Sequence, residues 1–232
     1  MTEVLSFDSD AELTAQAAVF IAQILQTAIA KNGIARLVLT GGTLGIKILA
    51  DLRGQGLDLS KLQVFFGDER YVALDHADRN EQQGLTAWPE LSSAQLHRFP
   101  NSGQPLDTAA LAFDAEVAQL LGPIDQGSAI FDVVMLGMGP DGHVASLFPG
   151  REHELRWIVA EHESPKPPVE RLSFSYQALN RARVVVFLAS GSAKSAVARC
   201  AIRDFDCDLP AAKVKGVELT RWYVDQEISR AL

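Results

Sequence analysis

The chain has 232 residues, of which 21 are basic and 29 acidic, for a formal net charge of −8. That balance argues against a nucleic-acid or membrane partner, so an anionic ligand must be attracted by a local cluster of Lys and Arg. Two cysteines, Cys200 and Cys207, are too few for a disulfide framework and lack CxxC zinc spacing, so Cys200 in SAVARCAI reads as a packed thiol. MTEVLSFDSD does not read as a signal peptide, and no apolar run approaches the ~18–20 residues that span a bilayer. The cytoplasm is the expected compartment.

Ser9 followed by Glu12 is a capping-box signature. Leu13, Ala17, Phe20, Ile21, Ile24 and Ile29 then recur at helical spacing, and Gly33 is a stop signal. RLVLT (36–40) predicts a buried strand, Gly41 and Gly42 break it, and a second helix runs to about Leu52. A strand follows at 62–66, then a helix after Asn80, which makes a good N-cap, and a helix at 108–121. Strands are expected at 131–136, 157–160, 184–188 and 222–224, with a helix at 192–202. Continuous apolar strands are buried on both faces, and helices between them imply crossovers and a mostly parallel sheet. The fold class is therefore α/β, a three-layer α/β/α sandwich formed by one domain over residues 1–232. The proline-rich ESPKPPVE (163–170) is a loop inside it.

Ligands in such sheets bind where strands end at their carboxyl side. Three loops there carry chemistry. Thr40-Gly41-Gly42-Thr43 can turn backbone N–H groups toward an anion at a helix start, or simply make a tight turn. It is not a P-loop, because no GK[ST] follows. Gly67-Asp68-Glu69-Arg70, leading into Asp75–Asn80, is either a solvated turn or a set of sugar-hydroxyl ligands, with Arg70 for a carboxylate or phosphate. The third loop runs from Gly137 to His143. Its GxGxxG spacing, with Glu161 about twenty residues on, imitates a dinucleotide fingerprint. Pro140 removes a donor and Pro149-Gly150 leaves no room for a crossover helix, which argues against that ligand.

His143 suits a general base, since imidazole titrates near pH 6.5, and Asp141 could orient it; the alternative is a histidine capping the next short helix. His76, in the second loop, is a candidate ligand contact, while His97, His153 and His162 read as surface residues. No pair has metal-ligand spacing, HExxH is absent, and GxSxG is absent. Arg171 opens the strand RLSFS, and Lys194 sits in the turn SGSAK. Either is an ordinary surface charge or an anion ligand at a strand–loop junction.

Together, GDERYV, LGMGPDGHVASLFPG, PPVERLSF and ARVVVFLASGSAK resemble the 6-phosphogluconolactonases in the same order, from LTGG to WYVDQE. The resemblance implies a Rossmann-like three-layer fold and hydrolysis of 6-phospho-D-glucono-1,5-lactone, the second step of the oxidative pentose phosphate pathway. It implies no cofactor and no metal. His143 would be the general base, Asp68, Arg70 and Asp141 would hold the sugar and developing charge, and Gly42, Thr43, Arg171 and Lys194 would bind the phosphate. The expected partner is the small phosphorylated lactone alone, with the chain a monomer or small homo-oligomer. Many members read GGSTP where this chain has Gly41-Gly42-Thr43-Leu44-Gly45. Arg79 replaces a common serine, which would add positive charge near the site mouth. Glucosamine-6-phosphate deaminases resemble the chain over the DGH loop but carry a glutamate where Phe148 stands here. A non-catalytic sugar-phosphate sensor would be expected to have lost the base, and His143 is present.

Overall fold

The structure, a computed structural model, describes residues 1–124 and 128–232. In chain order the strands and helices are β1 (Thr2–Phe7), α1 (Asp10–Asn32), β2 (Ala35–Leu39), α2 (Gly42–Arg53), β3 (Leu62–Phe66), β4 (Asp68–Arg70), α3 (Asn80–Ala87), β5 (Gln95–Leu96) and α4 (Leu106–Leu121). After them come β6 (Phe131–Gly137), β7 (Ile158–Glu161), β8 (Arg171–Phe174), α5 (Tyr176–Leu179), β9 (Ala182–Ala189), α6 (Ser195–Arg203), α7 (Pro210–Lys213), β10 (Leu219–Asp225) and α8 (Gln226–Ser229). The main sheet has seven strands in the order β1-β10-β9-β6-β2-β3-β5, and every pairing in it is parallel.

α1 starts and stops where its sequence says. The Ser9 side chain accepts from the Glu12 N–H, and Gly33 closes the helix at φ +81° while its N–H donates to the Ile29 carbonyl. The helix is long and apolar enough to cross a membrane by length and composition, although no uninterrupted apolar run of that length exists. Its inner face is instead spent on the sheet: Leu13, Ala17, Ile21 and Leu25 have no exposed surface. Burying each of the larger ones contributes ~1.5–3 kcal/mol.

Alternation along β3 defines the layers. Phe66 lies on the side of α2 and α3, 3.7 Å from the point where a Cβ on Gly84 would sit, beside Leu49. Phe65 faces the other way and meets Phe131 at 5.2 Å and Phe174 of β8 at 6.2 Å. Phe99 packs on Phe174 and Phe113 of α4 on Phe99, while Trp157 meets Phe131 edge-on. The layer on that side includes a second sheet of three antiparallel strands, β4-β8-β7, which the sequence pattern did not announce. β1 was also not anticipated; it is an edge strand whose half-exposed TEVLSF alternates too weakly to stand out.

Two expectations are corrected by packing. His97 and His153 are half-buried rather than on the surface, and burial lowers the pKa of both. His97 stacks on Phe65 at 4.2 Å. Cys200 is not a free packed thiol: it is bonded to Cys207, seven residues on, across a Cα separation of 5.5 Å.

Candidate active site

The chain leaves β2 toward β3 on one side of the sheet and leaves β6 toward β9 on the other, so the neighbours β2 and β6 form the switch point. The loops after these two strands are the first and third of the glycine-rich loops. They are tied together, since the Gly137 N–H donates to Thr40 Oγ1 at 3.3 Å. α2 begins at Gly42, with φ +80°, and no side chain caps it, so its first N–H groups remain available to a ligand. Thr43 is exposed there, whereas Leu44 turns into the core. Position 44 therefore serves the core in this chain and offers no side-chain donor to a ligand.

The third loop closes on itself through two backbone bonds, Gly139 N–H to the His143 carbonyl at 2.9 Å and Gly142 N–H to the Gly139 carbonyl at 3.0 Å. Within it, Asp141 Oδ1 accepts from the His143 N–H at 3.2 Å and lies 2.5 Å from His143 Nδ1. The ring rests on Gly139: a Cβ there would fall 2.1 Å from the His143 Cε1 and Nδ1 atoms. Phe148 lies against the imidazole at 4.7 Å, and the Arg151 guanidinium sits 5.7 Å from the Phe148 ring. Burial works to raise the Asp141 pKa, but the His143 charge and hydrogen bonds outweigh it and hold the carboxyl below its usual value. An ionised Asp141 can only accept, so in the neutral imidazole the proton sits on Nδ1 and the lone pair on Nε2.

The GDER segment is a strand rather than a turn. β4 pairs antiparallel with β8 in the register Asp68↔Ser173, Glu69↔Leu172, Arg70↔Arg171. Asp68 and Arg70 thus share one face, and Glu69 takes the other. Asp68 is buried; its Oδ2 accepts from Ser146 Oγ at 2.6 Å and its Oδ1 from Asn80 Nδ2 at 3.1 Å. It links the GDER strand to the loop that carries His143. Glu69 is not a sugar ligand in this arrangement: it accepts from the N–H groups of Arg70, Asn80 and Glu81 at 2.7–2.9 Å, beneath the start of α3.

Asn80 does not cap α3. It is the first helical residue, and its side-chain amide donates to the Asp68 carbonyl at 2.8 Å while its oxygen fills the space a Cβ on Gly41 would need. Arg79 does not line the mouth. It is fully buried, 3.5 Å from Glu81 and 3.8 Å from Glu69, and it donates to the Phe99 carbonyl at 2.8 Å. Its charge is met inside the fold by Glu81, two residues on, and by Glu69 of β4.

Arg70 and Arg171 face each other across the two strands, a like-charge pair that destabilises a sheet unless an anion or carboxylate relieves it. Arg70 donates to the Asp78 carbonyl. Arg171 donates to the carbonyls of Pro168 and Lys166 at 3.2 and 3.0 Å, and it lies 3.8 Å from Asp68. Burial lowers the Arg171 pKa first, Asp68 opposes this, and Arg70 adds to it. Lys194 stands after β9, the strand next to β6. Burial depresses its pKa against the pull of Asp10 and Asp225, and Lys166 lowers it further. The cations therefore form a series, Lys194 to Lys166 to Arg171 to Arg70, in an acidic chain.

The predicted residues fall into two groups that touch and one that stands beside them. Asp141 joins His143, while Asp68, Arg70 and Arg171 converge on the β4–β8 pair. Gly42, Thr43 and Lys194 sit on the flanking loops. Sequence reasoning missed Ser146 and Ser173, which hold the pieces together through contacts 27 and 78 residues apart, and it read Asn80 as a cap and not as a partner of Asp68, 12 residues away. Among the described residues, no group of three or more His, Cys, Asp or Glu side chains could hold a metal ion.

Residues 8–222 match the family described as glucosamine-6-phosphate isomerases/6-phosphogluconolactonase. A 6-phosphogluconolactonase from Mycobacterium leprae is 39% identical over 220 residues, covering 89% of each chain. One from Mycobacterium tuberculosis is 38% identical, covering 97% of this chain and 96% of its own. The crystal structure of the Thermotoga maritima 6-phosphogluconolactonase superposes with a TM-score of 0.83 at 26% identity, covering 97% of this chain and all of that one. On its residues 8–222 and these relatives, the chain belongs to the glucosamine-6-phosphate isomerase/6-phosphogluconolactonase family.

Proposed function

We propose that this chain hydrolyses 6-phospho-D-glucono-1,5-lactone to 6-phosphogluconate, with His143 as general base and without a metal. The observation that carries the reading is the 2.5 Å contact between Asp141 Oδ1 and His143 Nδ1, on a loop at the sheet's switch point. It leaves Nε2 to take a proton from water as the oxygen attacks the lactone carbonyl. The protonated ring then returns that proton to the departing ring oxygen as the carbon–oxygen bond of the tetrahedral intermediate breaks. Arg70 would stabilise the developing oxyanion, and Asp68 would hold the sugar and fix the loop through Ser146. The N–H groups at Gly42, the Thr43 hydroxyl, Arg171 and Lys194 would bind the phosphate. A lactone is already an activated ester, so positioning and general-base assistance, ~10²–10⁴-fold, suffice without a covalent intermediate.

A deaminase reading is disfavoured by Phe148, which lies 4.7 Å from His143 and cannot transfer a proton. The test is a coupled assay in which glucose-6-phosphate dehydrogenase supplies the lactone and 6-phosphogluconate dehydrogenase reports product, with no metal beyond what those enzymes need. Acceleration over spontaneous hydrolysis supports the reading. Folded protein that gives none removes it.

A further inference from the structure

We propose that the Cys200–Cys207 disulfide positions His143, and that reducing it slows turnover; the kinetic half of this inference rests on the lactonase reading above. The bond closes the stretch between the last turn of α6 and the segment that enters α7. Within it Asp204, Phe205 and Asp206 are exposed, Phe205 completely. Its own backbone bonds are few: Asp204 N–H to the Cys200 carbonyl at 3.0 Å and Cys207 N–H to the Asp204 carbonyl at 3.3 Å. Beside it is a pocket of about 290 Å³, partly open to solvent and lined by Thr2, Ile202, Cys207, Ala211, Val214 and Trp222. The loop is therefore held by its covalent closure more than by packing.

The segment leaving Cys207 reaches the loop of His143 at Leu209 and Ala211. The Ala211 N–H donates to the Gly142 carbonyl at 3.0 Å. The Leu209 side chain covers Gly142, and a Cβ at that residue would meet its Cδ1 at 2.9 Å. Gly142 has φ +84° and stands between Asp141 and His143. Leu209 and Ala211 thus press on the one residue whose backbone sets how the acid and the imidazole face each other. Loosening the segment frees Gly142, and a base displaced by an ångström loses much of its rate.

Reduction needs a dithiol as electron donor. One of its thiolates attacks a cysteine sulfur, breaking the S–S bond and releasing one cysteine thiolate as a mixed disulfide forms. Its second thiol attacks that mixed disulfide, so the dithiol leaves as a cyclic disulfide and both cysteines end as thiols.

The chain has only these two cysteines, so any thiol-dependent change must act through them. The experiment compares oxidised protein, protein reduced with dithiothreitol, and the C200S/C207S variant, for steady-state kinetics and amide hydrogen exchange. Reduced protein and variant should lose roughly 5–50-fold in kcat with KM little changed. Reoxidation should restore the reduced protein, and dithiothreitol should leave the variant unaffected. Exchange at residues 139–143 should rise on reduction whether or not the lactone is the substrate. Oxidised protein that fails to turn over the lactone counts against the proposed function alone. Unchanged exchange in the 139–143 loop, or equal kcat in active oxidised and reduced protein, overturns the positioning role. A parallel loss of kcat and KM with global unfolding at the assay temperature overturns it too.

Discussion

Asp141 holds both ends of His143: one carboxylate oxygen lies 2.5 Å from the ring Nδ1 and 3.2 Å from the backbone nitrogen. An asparagine keeps the shape but not the charge, and its amide can present N–H to the ring, which selects the wrong tautomer. Asp141→Asn should lower kcat by roughly 10²–10⁴-fold with a small change in KM. A variant with wild-type kcat would show that the acid does not set the state of the base.

The imidazole lies on Gly139 so closely that a methyl there would occupy the ring's position. The clash is with a half-buried side chain, not with backbone, so the ring moves and the fold persists. Gly139→Ala is expected to leave the melting temperature near wild type while kcat falls roughly 10²-fold. Loss of both together would mean that the glycine supports the fold and not the geometry of His143.

These two residues were legible because they follow an apolar strand as a glycine run, a local pattern. α1, β2, β3, β6 and β9 were legible for the same reason, their signals lying within one element. The β4-β8-β7 sheet was not, because β4 is three residues long and its partner lies about a hundred residues away. No local pattern can state that pairing. Asp68 was singled out for its place after a strand, but Ser146, which accounts for its Oδ2, is an ordinary serine until the two loops meet. Cys200 and Cys207 were misjudged because composition speaks for frameworks, while a single bridge depends on where a helix end and a turn fall.

Arg79 shows how a charge-rich segment misleads. In sequence it reads as a positive charge near the site mouth, yet it is the cation for two buried carboxylates and a donor to the Phe99 carbonyl. Arg79→Met leaves Glu69 and Glu81 with Arg98, 3.2 Å from Glu81, as the remaining cation within salt-bridge distance among the described residues. The expected cost is about 3–5 kcal/mol in chemical denaturation, because uncompensated buried charge is what the variant creates. The kcat of the protein that stays folded should be retained. A loss of activity at unchanged stability would return Arg79 to the mouth of the site.

Glu69 supplies the pH dependence. Burial is the largest influence and raises its pKa from 4.5 to about 6, against the N–H of Glu81, the Arg79 charge and the N–H groups of Asn80 and Arg70. A folded pKa above the unfolded one means that the native state binds the proton more tightly. The group's stabilising contribution is complete below pH 4.5 and is lost as pH rises through about 6. That rise corresponds to about 2 kcal/mol. Glu69→Gln removes the titration, and its amide leaves at least one of the three backbone donors unpaired, so it is less stable at every pH. The excess stability of wild type over the variant should therefore shrink by about 2 kcal/mol between pH 4 and pH 7.5, measured by urea unfolding of both proteins across the range. An excess that stays constant, or grows with pH, would mean that the three N–H donors and Arg79 outweigh burial and that Glu69 folds as an ordinary carboxylate.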